Sequence, residues 1–318
     1  MTHPLLEYMP SFTSILRNTI KLCFVVATLL VVVAVEVKAQ DDDVVRVNAD
    51  LVVLNITVTD SAGQYVPGLR QSDFKVFEDG QEVSARLINS FSLQESPFAS
   101  VVLLDTSGSM ESRMSLSRSA AIRFLDGLRE EDVAAVFRFD TKVEEIQDFS
   151  GGRDLAPMVY GLRAKGMTTL NDAIIEGANA LSSRPEPRKA IVVLSDGMDT
   201  YSKASAGKAL ETALAVGATI YTVDMSATDS IGSRNLQSSM VLKNFAEKTG
   251  GRFVATPGGP ALRDAFANIA NELGHQYTIA YRPLNKAHDG KWRTLEVKLT
   301  RANDFMVRTR KGYRAPKQ

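Results

Sequence analysis

Between residues 99 and 282 the chain alternates strand-like apolar runs with stretches of helical periodicity. The clearest strand-like runs are residues 101–104, 133–139, 190–194 and 219–223. Such runs are typical of strands that are buried on both faces of a parallel sheet. Between them, apolar residues recur at three- and four-residue spacing, which predicts amphipathic helices. The alternation predicts an α/β fold with a doubly wound, mainly parallel sheet and helices on both faces.

The two ends of the chain have a different pattern, without predicted helices. Residues 40–98 carry alternating strands at 52–58, 74–77 and 83–88, with a hairpin turn at Asp79-Gly80. Residues 283–318 carry further strand patterns at 295–300 and 304–310. We expect these two segments to form one small β-rich module around the α/β domain of residues 99–282. The strand pattern at 277–281 is expected to close the α/β sheet.

Residues 1–39 have the pattern of a secretory signal peptide. Arg17 and Lys21 precede an apolar run over residues 22–35, and small side chains follow at Val37 and Ala39. The run is shorter than the roughly 20 residues that span a bilayer comfortably, although an uncleaved N-terminal anchor is the alternative. Either reading predicts an exported protein that is periplasmic, cell-surface or secreted, with membrane contact only through an uncleaved N-terminal segment.

Composition excludes several kinds of site. The chain has one cysteine and three histidines, which argues against a disulfide framework, a multi-cysteine metal site or a His-rich metal centre. Its 37 basic residues balance its 37 acidic residues. This balance gives no electrostatic reason to expect nucleic acid as a partner.

Oxygen-bearing side chains follow three of the predicted elements. Asp105, Ser107 and Ser109 come directly after the run 101–104 in an Asp-x-Ser-x-Ser pattern, Thr168 precedes a helix, and Asp196 follows the run 190–194. The carboxyl ends of parallel strands are where open α/β sheets bind ligands. Carboxylates and hydroxyls are hard ligands that suit Mg²⁺, or else Mn²⁺ or Ca²⁺. The pattern therefore predicts a metal site at this edge of the sheet.

In combination, these motifs resemble the von Willebrand factor A-type domain and its metal-ion-dependent adhesion site. Flanking segments, among them Glu78-Asp79-Gly80 and Arg310-Lys311-Gly312-Tyr313, look like those of a bacterial exported subgroup with this domain. The resemblance covers about residues 99–281 and implies that Asp105, Ser107, Ser109, Thr168 and Asp196 are the metal-site residues. Met167 stands where a second glycine is common in the family, so that Thr168 and Thr169 are both candidates. The offset from Gly166 favours Thr168.

The resemblance also implies a function in binding rather than in catalysis. In the family the serines and the threonine usually bind the cation directly, and one or both carboxylates can act through water. The cation then remains electrophilic towards an outside carboxylate. We therefore expect divalent-cation-dependent binding of a protein partner that presents an Asp or Glu to the metal, as in adhesion or assembly.

Two alternatives remain at this point. Asp105 at a strand end could be the nucleophile of a metal-dependent phosphatase, but that chemistry needs an acid two residues later, where this chain has Ser107. Gly-x-Ser-x-Gly and Walker-type phosphate-loop motifs are absent from the sequence. The other alternative is a scaffold whose metal site does not function.

Overall fold

The structure is a computed structural model that describes residues 51–92, 96–152, 157–226, 233–255, 260–301 and 304–317. The predicted signal peptide of residues 1–39 lies outside the described residues. Within the described ranges, none of the helices combines the length and the apolar character that crossing a membrane requires.

The α/β part is built around a six-stranded sheet with the strand order β10-β9-β8-β5-β6-β7. Its strands are β5 (Phe98–Asp105), β6 (Val133–Phe139), β7 (Val143–Ser150), β8 (Arg188–Ser195), β9 (Ala218–Asp224) and β10 (Phe253–Ala255). All neighbouring pairs are parallel except β6 and β7. The antiparallel edge strand β7 is missing from the sequence prediction, because Ile146 is the single buried residue among its eight.

Five helices cover the two faces of this sheet. They are α1 (Met114–Asp126), α2 (Leu170–Ser182), α3 (Ala206–Ala215), α4 (Ser233–Thr249) and α5 (Pro260–Gly274). Successive residues of β5 point to opposite faces, so that Val102 packs in the core under α1 and α5, and Val101 packs in the core under α2, α3 and α4. The predicted doubly wound α/β fold is confirmed.

The chain ends form two four-stranded sheets that share one apolar core. One sheet has the order β13-β1-β11-β4, with β1 (Val52–Thr59), β4 (Ile88–Ser92), β11 (Tyr277–Tyr281) and β13 (Met306–Arg308). The other has the order β14-β12-β2-β3, with β2 (Phe74–Glu78), β3 (Gln81–Glu82), β12 (Trp292–Leu299) and β14 (Gly312–Arg314). The predicted β module from both chain ends is confirmed.

Two expectations for this module were wrong. Strand β11 does not close the α/β sheet; it pairs antiparallel with β1 and with β4. All five of its residues are buried, and a strand buried on both faces does not reveal from its pattern which sheet receives it. Residues 83–88 are also not one strand. The Ser84 side chain accepts a hydrogen bond from the backbone of Arg86, which starts a 3-10 turn before β4.

Candidate metal site

The Asp-x-Ser-x-Ser loop at the end of β5 folds back on the carboxylate that begins it. The backbone N–H of Ser107 donates to Asp105 Oδ1 at 2.9 Å, and the hydroxyls of Ser107 and Ser109 lie 3.1 Å apart. Asp105 and Ser107 are buried, whereas Ser109 is exposed. The loop thus places one buried carboxylate and two hydroxyls in a chain of contacts that reaches the surface.

The loop after β8 reaches the same carboxylate from the neighbouring strand. Ser195 Oγ donates to Asp105 Oδ2 at 2.5 Å and accepts from the backbone N–H of Gly197 at 3.0 Å. Asp196 is partly exposed, and its charge acts on Asp105. Sequence reasoning gave Ser195 no role. The available signal was its position, a hydroxyl that ends a buried strand directly before Asp196.

The third loop, which carries Thr168, lies against the first. Gly108 N–H donates to the Gly166 carbonyl at 3.1 Å, and Lys165 N–H donates to the Thr106 carbonyl at 2.9 Å. Gly166 has φ of 77°, and a Cβ at this position would lie 2.5 Å from Thr141 Oγ1. Because an alanine would meet both the strain of positive φ and this clash, glycine is required for the loops to approach so closely.

Two adjacent threonines of this loop have different surroundings. The hydroxyl of Thr169 donates to the Asp140 carbonyl at 2.9 Å, which ties it to the end of β6. The backbone of Thr168 is held at both ends, since its N–H donates to Thr200 Oγ1 at 3.0 Å and its carbonyl accepts from the N–H of Tyr201 at 2.9 Å. Among the described residues, no hydrogen-bond partner is found for the Thr168 hydroxyl. Its oxygen is therefore the one available to a ligand.

The site brings two carboxylates near each other, and neither forms an ion pair with a basic residue that the structure describes. Burial, and to a smaller degree the charge of Asp196, raises the pKa of Asp105 to about 6, against the hydrogen bonds from Ser107 and Ser195. Neither Asp105 nor Asp196 forms an ion pair with Lys, Arg or His in the part of the chain that the structure describes. A buried carboxylate near a second one is costly unless a cation compensates it.

The side-chain atoms that could ligate a metal at this site are all oxygen atoms. Two carboxylates and three hydroxyls, from Asp105, Asp196, Ser107, Ser109 and Thr168, come from three loops at one edge of the sheet. The described ranges hold no group of three or more His, Cys, Asp or Glu side chains arranged for a metal. The chemistry of the present set, hard oxygen ligands with an uncompensated negative charge, fits a hard divalent cation.

Three further aspartates near the site are structural. Asp199 accepts hydrogen bonds from the N–H of Asn171 and from the Ser202 hydroxyl, and Asp172 accepts from the N–H groups of Lys203 and Ala204. These bonds fix the segment after β8 to the start of α2. Asp140 is buried and pairs with Arg138 at 3.0 Å. Asp140 and Asp199 are therefore tied to other parts of the fold and are not solvated loop residues.

Comparison with known families agrees with the motifs. Residues 100–198 match the sequence profile of the von Willebrand factor type A domain, and the resemblance to this domain is confirmed. Curated proteins gave no match to the chain.

Solved structures with a similar fold share little sequence with this chain. A von Willebrand factor type A protein from Catenulispora acidiphila has 13% identity and a TM-score of 0.48, over 79% of this chain and 76% of its own. The PilB minor pilin from Streptococcus sanguinis has 17% identity and a TM-score of 0.45, over 57% of this chain and 62% of its own. The von Willebrand factor domain of the type V pili tip protein Mfa5 from Porphyromonas gingivalis has 14% identity and a TM-score of 0.46, over 56% and 95%.

Proposed function

We propose that the von Willebrand factor A-type domain of this chain binds a divalent cation, Mg²⁺ first among the candidates, and through it a protein partner. Asp105, Ser107, Ser109, Thr168 and Asp196 would hold the cation. The observation that carries the proposal is the buried Asp105 carboxylate, which is fixed by Ser107 and Ser195 and lacks a basic partner among the described residues.

The proposed roles of the site residues follow from how deeply each one is buried. Asp105 and Ser107 lie inside and would fix the cation from below, whereas Ser109 and Asp196 are more open to solvent. The bound cation would supply a positive centre that accepts a carboxylate from outside. Because the loops contribute neutral hydroxyls as well as carboxylates, an Asp or Glu of the partner could complete the set of oxygen ligands. The result is adhesion or assembly rather than bond cleavage.

We further infer that the domain works outside the cytoplasm. The inference rests on the sequence of residues 1–39, where Arg17 and Lys21 precede the apolar run. N-terminal sequencing of the protein purified from its host tests the inference. A mature chain that begins at Gln40 would support cleavage after Ala39, whereas a chain that starts at Met1 and stays with the membrane would support the anchor.

Isothermal titration calorimetry with Mg²⁺ and Mn²⁺ tests the metal site directly. Wild type should bind one cation, and Asp196→Ala and Thr168→Ala should bind at least ten-fold more weakly. Asp126→Ala, which removes an exposed carboxylate at the end of α1, is the matched control and should bind like wild type. Wild type that binds neither cation would overturn the proposal in favour of a scaffold with a non-functional site.

A phosphatase assay on the same purified proteins tests the alternative that the chain is a phosphatase. The position of the required acid is occupied by Ser107, whose hydroxyl cannot protonate a leaving group at neutral pH. We therefore expect no Mg²⁺-dependent release of phosphate from p-nitrophenyl phosphate. Release that Asp105→Asn abolishes would make the chain an enzyme.

A further inference from the structure

A surface groove of about 560 Å³ begins beside the candidate metal site. It runs between the edge of the sheet at β6 and β7 and the helix α2. Thr141 and Thr169 line its upper end, and both hold the loop that carries Thr168. Thr141 Oγ1 accepts from the N–H of Met167 at 3.2 Å, and Thr169 donates to the Asp140 carbonyl. The groove is therefore continuous with the edge of the candidate site.

The floor of the groove is apolar. Phe137 of β6, Val143 of β7 and Ile175 of α2 line it, and the last two are only partly buried. Phe137 lies opposite Glu145 in the β6–β7 register, so that this part of the floor is below the loop at residues 140–142. An apolar side chain of a partner would be buried against this floor and removed from water, which favours binding.

The charges along the groove are unevenly distributed. Its upper end has Lys142, which pairs with Glu144, together with the exposed Lys203, and Asp172, whose carboxylate is used by two backbone N–H groups. Its lower end has Glu145 on β7 and Glu176 on α2, both exposed. Neither of these two glutamates has an ion pair with a residue in the described ranges. The lower end thus offers an unneutralised acidic pair.

We propose that this groove binds the segment of the partner that adjoins its metal-coordinating acid. The inference rests on the proposed function, because that acid fixes one end of the segment. The complementary segment has an acidic residue, then an apolar side chain over Phe137, Val143 and Ile175, then a Lys or Arg near Glu145 and Glu176. The groove does not fix the direction of the partner chain. A segment with the same three residues in the reverse order therefore fits equally well.

Selection from a displayed random-peptide library tests the proposal. Peptides bound to the purified protein in Mg²⁺ and eluted by EDTA should share an acid, an apolar residue and a Lys or Arg in that order or its reverse. Fluorescence polarisation then measures the affinity of the best peptide. Ile175→Asp should weaken binding at least ten-fold, as should the double variant Glu145→Lys/Glu176→Lys. The double variant changes only exposed side chains, which keeps the test independent of folding.

A charge exchange sharpens the result. The peptide with its Lys or Arg replaced by Glu should bind the Glu145→Lys/Glu176→Lys protein at least ten-fold better than the original peptide does. Glu130→Lys/Glu131→Lys is the matched control, since both glutamates are exposed in the turn before β6, at the opposite end of that strand. Calorimetry should show that all these variants bind Mg²⁺ like wild type.

The outcomes separate the two proposals. EDTA-eluted peptides that bind the groove variants as tightly as wild type would overturn the groove inference and leave the metal-dependent function intact. Absence of EDTA-sensitive peptides would overturn both. A dimer of the wild type that Ile175→Asp converts to a monomer in light scattering would mean that a second copy occupies the groove, which also overturns the inference.

Discussion

The Ser195 hydroxyl donates a 2.5 Å hydrogen bond to Asp105 Oδ2, so that the last residue of β8 fixes the carboxylate at the end of the neighbouring strand β5. Gly197 N–H donates in turn to the same serine oxygen. The other oxygen, Oδ1, accepts from the N–H of Ser107. Each carboxylate oxygen of Asp105 is thus oriented by a different loop. Groups that orient a metal ligand in this way affect metal affinity without touching the ion.

We predict that Ser195→Ala lowers the affinity for Mg²⁺ by about 10- to 100-fold, because Asp105 loses the partner that orients it. Calorimetry measures the affinity, and thermal unfolding checks the fold. Ser100→Ala is the matched control, because Ser100 is also a buried serine of a central strand but makes only a 3.4 Å hydrogen bond to Val133. A wild-type affinity in Ser195→Ala would show that Ser107 alone positions the carboxylate.

The two threonines after Met167 should separate binding from stability. Thr169→Ala loses the hydrogen bond to the Asp140 carbonyl, and we expect about 1–2 kcal/mol less free energy of unfolding with Mg²⁺ binding retained. Thr168→Ala should keep the stability and lose the binding, since its hydroxyl has no partner among the described residues. Urea unfolding and calorimetry on both variants measure the two effects. The reverse assignment would make Thr169 the ligand.

Gly197→Ala should destabilise the fold by about 3 kcal/mol, combining strain at positive φ with overpacking. The residue has φ of 78°, and a Cβ here would lie 2.7 Å from the Ser238 carbonyl and 2.9 Å from Leu242 Cγ. Gly63→Ala is the control, because Gly63 has φ of 77° but open space around the Cβ position. It should cost only about 1 kcal/mol. If both variants lose the same free energy of unfolding in urea, α4 moves away from the added methyl group at little cost.

Glu272→Ala should cost about 3 kcal/mol of unfolding free energy, because it leaves two partly buried arginines and the buried Tyr221 hydroxyl without their partner. The Glu272 carboxylate is fully buried; it pairs with Arg252 at 3.1 Å and with Arg308, and it accepts from Tyr221 at 2.9 Å. These contacts join α5 to β9 and to β13 of the β module. Urea unfolding measures the loss. In the control Glu247→Ala, an exposed pair with Lys243 is lost, and we expect less than about 0.5 kcal/mol.

The positions of the two carboxylates of the candidate site could be predicted because they are close in sequence to strand ends. Asp105 ends β5 and Asp196 follows the last residue of β8, and the register of these parallel strands brings such positions to one edge. The supporting residues could not be predicted in the same way. Ser195, Thr141 and Thr200 act through hydrogen bonds to other loops, and the partners lie 26 to 90 residues away.

The same limit explains where the fold prediction went wrong. The pattern of residues 277–281 predicted a strand correctly, but all five residues of β11 are buried, and burial alone does not reveal which sheet receives the strand. Its pairing with β1 depends on contacts between the two ends of the chain, such as Asn55 opposite Thr278. Conversely, the edge strand β7 has too few apolar residues to show a period, and it forms because β6 offers a free backbone edge.

The sequence by itself determined the alternation of strands and helices and the β character of the two chain ends, and it predicted the five oxygen-bearing residues of the candidate site, because each is a matter of local periodicity or motif. Only the tertiary structure decided which sheet receives β11, which of Thr168 and Thr169 has a hydroxyl without a hydrogen-bond partner among the described residues, and that Ser195 holds Asp105. Those outcomes depend on hydrogen bonds and packing between segments that are far apart along the chain. A local sequence pattern does not show which distant segments come into contact.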